Sequence, residues 1–170
     1  YKHSLEVGGG VKLPTGEYKR SNNEGSVNPS FQVGTGSFDY ILAANYSVGH
    51  ENWGLGLMTN YTFKTENKKD YHFGDQFTYG INLSKVYNTL KIDKIIPFIG
   101  LAGEVYSENE SYGLPVADTE GNVLFGRLGA EVSLKKLSAG VNLMLPVSQD
   151  LNDGKVEAKY RLGLHFNYML

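Results

Sequence analysis

The chain has 170 residues, with 16 Lys+Arg against 18 Asp+Glu and no cysteine. That length allows one domain with a real core. The near balance of charge gives no reason to propose a nucleic-acid partner, which would call for a basic patch, and the lack of cysteine excludes disulfides and thiolate metal sites.

An apolar period of two runs along nearly the whole chain, and no long stretch holds a period of 3.6. Leu5, Val7, Val11 and Leu13 predict a first strand over 3–13, followed by a long polar connection, 14–35. Phe38, Tyr40, Leu42, Ala44, Tyr46 and Val48 alternate with Ser37, Asp39, Ile41, Ala43, Asn45 and Ser47, which predicts a strand over 36–48. After the short turn GHEN (49–52), Trp53, Leu55, Leu57, Tyr61 and Phe63 mark a strand over 53–64. A longer connection, 65–72, leads to Phe73, Phe77, Tyr79, Ile81 and Leu83, in a strand over 73–86. Two less regular strands, 95–107 and 123–134, follow the connections 87–94 and 108–122. Leu137, Ala139, Val141, Leu143 and Leu145 continue after the two-residue turn 135–136, predicting a strand over 137–145. The last strand is 158–169, after the polar connection 146–157.

The connections alternate between long and short. That is the pattern of an antiparallel up-and-down transmembrane β-barrel, with short turns at one rim and long loops at the other. No apolar run reaches the roughly 18 residues of a spanning helix, so strands would do the crossing. The end of the chain decides which face is outside. In YRLGLHFNYML, Tyr160, Leu162, Leu164, Phe166, Tyr168 and Leu170 share one face, and Arg161, Gly163, His165, Asn167 and Met169 the other. Eight strands enclose an interior only just wide enough for side chains. Rings and leucines in this number would overfill it, whereas Gly, Ser and Asn suit a narrow polar lumen. The apolar face is therefore expected to meet lipid, and a lipocalin-like soluble barrel is the weaker reading. The aromatics also sort by height. Tyr46, Trp53, Phe166 and Tyr168 fall near the short turns, and Phe38, Tyr40, Tyr61, Phe63, Phe73, Phe77 and Tyr160 near the long loops. Two such girdles suit the two bilayer interfaces.

The tail from Arg161 to Tyr168 resembles the C-terminal signal read by the outer-membrane insertion machinery, with Gly163, Phe166 and Tyr168 in the characteristic places. It departs in ending on Met169-Leu170 rather than on an aromatic residue. A second resemblance spans nearly the whole chain. The runs GGGVKLPTG (8–16), NPSFQVGTGSFDYILAANYS (28–47), WGL (53–55), YHFGDQF (71–77) and PVSQDLNDGKV (146–156) resemble bacterial outer-membrane transporter-like proteins similar to those linked to the phenol-degradation meta pathway. This resemblance implies a barrel in the bacterial outer membrane and small-molecule passage. It also implies further strands before the first one here, in a barrel of about 12 strands. No signal-peptide pattern opens the chain, and Tyr1 leads almost directly into strand-like sequence, so a processed or truncated start is expected.

Catalytic and cofactor motifs are absent from the sequence. Gly34-Thr35-Gly36 lacks the third glycine and the helix of a dinucleotide site. Asp150, Asn152, Asp153 and Gly154 match a calcium loop only in composition. His3, His50, His72 and His165 are scattered, and no Ser/His/Asp set can be assembled, so neither an enzyme nor a cofactor is expected. One constellation does carry content. By alternation Glu6, Lys12, Asp39, Lys64, Glu104, Arg127, Glu131, Lys159, Arg161 and His165 point inward. Such charges either pair into a network that fills the barrel or form a constriction that selects permeants. The expected function is an outer-membrane channel or transporter for small molecules. The alternative is a poreless accessory barrel within a larger outer-membrane complex.

Overall fold

A computed structural model describes residues 1–18, 21–22, 25–26, 29, 32–90 and 92–169. Within these residues the fold is all β. Eight long strands form it: β1 (Lys2–Lys12), β2 (Asp39–His50), β3 (Trp53–Phe63), β4 (Gln76–Lys85), β5 (Lys94–Tyr106), β6 (Gly121–Leu134), β7 (Leu137–Leu151) and β8 (Arg161–Tyr168). Each pairs antiparallel with its neighbours in chain order, and the short strand Tyr87–Asn88 adds to β5. The sheet curls into a half-barrel. β1 and β8 are its two ends and do not pair with each other.

The curl follows from contacts that one face makes. Arg161 on β8 reaches Glu104 on β5, and Arg127 on β6 reaches Met58 on β3. Each pair bridges three strand spacings, about 14 Å on a flat sheet. Only a face bent inward lets side chains meet over that span, so the charged face is the concave one. Inner glycines help, because they leave slots into which neighbouring side chains lie. A Cβ on Gly129 would stand 2.5 Å from Phe98, and one on Gly100 would stand 2.5 Å from Asn82 Oδ1.

The convex face is apolar and exposed. Leu42, Leu57, Ile81, Leu101, Val141 and Leu164 all stand open on it. Among the described residues only Tyr71, Val123 and Phe125 are buried hydrophobics. The accessible surface is 11539 Å², against about 8,300 Å² for a compact chain of this mass. The apolar side chains are thus spread over the outside of a sheet rather than gathered into a core.

The turn ends differ, as the connection lengths imply. The two-residue turns at Glu51–Asn52 and Lys135–Lys136 each begin with a left-handed residue, Glu51 at φ 53 and Lys135 at φ 52. At the other rim the loops carry structure of their own. Short strands Tyr71–His72, Asn109–Ser111 and Leu114–Val116 form a three-stranded cap, and Ser21–Asn22 pairs with Gly25–Ser26. The hairpin within the cap turns at Tyr112-Gly113, both left-handed (φ 54 and φ 71), as a tight hairpin turn requires.

Several boundaries differ from the periodic reading. β2 starts at Asp39 and runs to His50, so half of GHEN is strand. β4 starts at Gln76, which leaves Phe73 in a loop. β8 starts at Arg161, which leaves Lys159 outside it. β7 continues to Leu151, through Pro146. There Phe125 faces Pro146 and Leu124 faces Ser148, so Val147 is an extra, bulged residue. A bulge tolerates a proline that has no N–H for the ladder. Leu170, placed by alternation on the apolar face, lies outside the described residues, as do Asn28, Ser30 and Phe31 of the long loop.

Candidate functional site

The inner face carries the polar chemistry, in three groups. The first sits where β1, β2 and β3 approach the long-loop rim. Asp39 is fully buried and accepts from Lys12 Nζ at 2.6 Å, Lys64 Nζ at 3.4 Å and the Ser37 hydroxyl at 2.8 Å. Lys12 also donates to the Thr35 hydroxyl at 2.5 Å. Alternation puts Lys12 opposite Asp39 in register, and the outgoing end of β3 brings Lys64 beside them. Two ammoniums and a hydroxyl around one carboxylate leave it fully satisfied.

The second group crosses the concavity. Arg161 holds Glu104 through both guanidinium Nη atoms, with Nη2 at 3.0 Å, and the Tyr106 hydroxyl donates to the same carboxylate. The Arg161 guanidinium lies 4.5 Å from the centre of the Phe125 ring, a cation–π stack on a fully buried aromatic. Lower on the same face His165 meets Glu131 at 3.3 Å and lies against Gly140.

The third group is Arg127. Its Nη1 lies 3.8 Å from Met58 Sδ, and its guanidinium is 5.2 Å from the centre of the Phe98 ring. Its Nε is buried and has no hydrogen-bond partner, and neither has the buried Oδ1 of Asn82. Asn82, Gly100 and Arg127 stand in one row across β4, β5 and β6, because Gly100 pairs with both of the others.

Of the ten charged positions read from the sequence, the structure thus joins seven: Lys12, Asp39 and Lys64; Glu104 and Arg161; Glu131 and His165. Among the described residues Arg127 has no carboxylate partner, and Glu6 and Lys159 belong to no ion pair. Glu6 faces Asn45 on β2. Lys159 stands in the loop before β8. Sequence reasoning missed Phe98 and Phe125 on the inner face. Their signal was the broken alternation of β5 and β6, where inward Phe98, Val123 and Phe125 interrupt the polar series.

The aromatic positions are arranged by height on the outer face. Tyr40 pairs with Phe63, and Tyr61 with Phe77, close to the long-loop rim. The Tyr61 ring lies 4.4 Å from Phe63 and 6.3 Å from Phe77, and its hydroxyl donates to Asp75 at 2.9 Å. Phe38 is exposed just before β2, and its carbonyl accepts from the Thr65 hydroxyl. At the short-turn end Trp53 takes the Lys85 ammonium over its ring at 4.9 Å, and Tyr46 accepts or donates at His3 Nδ1 at 2.7 Å. Phe166 and Tyr168 stand exposed near the end of β8, three and five residues beyond Gly163, which lies under the Asn142 amide. Phe73 departs from the expected girdle. It packs in the loop cap at 4.9 Å from Tyr71 and 6.1 Å from Tyr18. Asn67, beside the cap, donates to the Thr35 carbonyl, and within the cap Asn109 donates to the Tyr71 hydroxyl. Burial is the main cause that pushes the Tyr71 hydroxyl above the usual tyrosine range.

Among the described residues no group of three or more His, Asp or Glu could hold a metal ion, and no helix is long and apolar enough to cross a membrane. No curated protein matches the chain. A family model does match, over residues 1–150, and it carries the description "Putative MetA-pathway of phenol degradation". With that match over most of its length and an all-β half-barrel fold, the chain belongs to this phenol-degradation MetA-pathway family.

Proposed function

We propose that the chain forms the strands of a bacterial outer-membrane barrel that passes small molecules along its inner face. One observation carries the reading: an exposed apolar convex face with almost no apolar core among the described residues. In water that face would be a severe aggregation liability; in a bilayer it is the lipid contact. Strands of 10 to 15 residues in β2 to β7 are long enough for a tilted crossing, which takes roughly 9–11. The aromatic rows at both rims and the tail with Gly163, Phe166 and Tyr168 support the same location and delivery by the insertion machinery.

The edges of β1 and β8 carry unpaired backbone groups, and hydrocarbon offers them no partner. The native barrel therefore closes through additional strands and is wider than these eight. In a barrel of about 12 strands the inner charges line a water-filled passage instead of plugging it. The poreless accessory reading draws its support from buried Val123 and Phe125 and from the Arg161–Glu104 span, which already fill part of the concavity. Conductance of the full-length protein in planar bilayers separates the two. Steps that shrink or change ion selectivity in Arg161→Ala are expected. A silent membrane for both proteins would refute passage and leave the accessory barrel.

A further inference from the structure

We propose that Arg127 and Asn82 form a binding site for a small, flat hydroxy acid on the inner face, with Arg127 donating to its carboxylate and Asn82 Oδ1 accepting from its hydroxyl; this rests on the reading of that face as a passage. Two observations point to a ligand independently. Arg127 Nε and Asn82 Oδ1 are each buried, and each lacks a partner. Buried polar atoms are normally satisfied, and an orphan calls for a specific cause. The two residues occupy one row, separated only by Gly100, so both can address the same bound molecule.

The surroundings define the chemistry. The other inner Lys and Arg side chains that meet a carboxylate are already engaged, Lys12 and Lys64 on Asp39 and Arg161 on Glu104, and His165 lies on Glu131. Arg127 instead rests against the Phe98 ring and the Met58 thioether. A guanidinium presents a planar fork that matches a carboxylate through two parallel bonds. The ring and the thioether then offer an apolar wall to the rest of the molecule, as in most small-molecule sites. Room exists beside them. Gly56 continues the same row on β3, and a Cβ there would meet nothing within 4 Å. An isolated inorganic anion would use the fork and leave the wall without purpose.

Benzoate and neutral benzamide are suitable probes, titrated calorimetrically into the purified full-length protein in zwitterionic detergent. Folding of each variant is checked by its heat-dependent shift in electrophoretic mobility. Benzoate is expected to bind and benzamide not. Arg127→Gln should weaken benzoate about tenfold or more, since a bond to a charged group is lost. Arg127→Lys, with the charge but not the fork, should fall between, and Asn82→Ala should leave benzoate unchanged, because benzoate has no donor for Asn82 Oδ1, while weakening a hydroxybenzoate. Lys64→Gln, at a cation already held by Asp39, should leave affinity unchanged. Equal binding by wild type and Arg127→Gln, or no binding by folded wild type, would overturn the site, as would chloride displacing benzoate at equal concentration. Benzoate binding in a protein that conducts nothing would refute passage but keep the site. Conduction without benzoate binding would refute the site alone.

Discussion

Asp39 and Arg127 both point to the concave side, and they have opposite fates. Asp39 is wholly enclosed and receives two lysines and a serine. Arg127 is partly open, touches a ring and a sulfur, and keeps a buried donor idle. An inner-face charge can thus be a structural joint or an unfilled site, and its partners decide which. Asp39 joins three strands at the rim where the long loop enters. Arg127 sits in mid-sheet, where its neighbours in the row are Gly100 and Met144.

Substitution should break the comparison most sharply. Asp39→Ala leaves two ammoniums facing each other without their shared carboxylate, and leaves the buried Ser37 hydroxyl only Thr35 Oγ1 to donate to. It should cost about 3 kcal/mol, the low end for a broken buried pair because Lys12 is partly solvated. Arg127→Gln removes no ion pair and should cost less than about 1 kcal/mol. Urea unfolding in detergent, followed by the fluorescence of Trp53, reads both. Equal losses would erase the distinction between joint and site.

Much of the contrast lay beyond sequence reading. Period two located all eight long strands, because each has one face exposed and apolar. It also placed Asp39 and Arg127 on the same side. It could not tell them apart, since the partners come from strands far apart in sequence: Lys12 to Asp39 spans a whole loop, and Arg161 meets Glu104 across two intervening strands. The far end of β7 was hidden by Pro146, which breaks the pattern although a bulge absorbs it. The cap was invisible because strands of two or three residues show no period at all. Its aromatic Phe73 reads as one more member of the strand series until the backbone is seen to leave the sheet.

The cap offers a smaller test, at the outer rim above the Asp39 joint. Tyr71 is buried there, and its raised pKa means that the folded form prefers the neutral phenol. Stability from Tyr71 is therefore intact below the ordinary tyrosine range near pH 10 and is lost as pH rises through its higher folded value. Absorbance at the tyrosinate band should include a late-titrating component that Tyr71→Phe removes. A profile unchanged by that substitution would mean that the cap does not shield Tyr71, and that the rim is open.

The central claim is that the apolar face of the half-barrel meets lipid and the charged face does not. Adjacent residues on β4 test it most directly, because Ile81 and Asn82 point to opposite faces. Spin labels at Ile81→Cys and Asn82→Cys, in the full-length protein reconstituted into vesicles, are exposed in turn to lipid-soluble oxygen and a water-soluble nickel chelate. Strong relaxation by oxygen at 81 and by the chelate at 82 is the predicted result. The reverse pattern, or oxygen acting equally on both, would contradict the account.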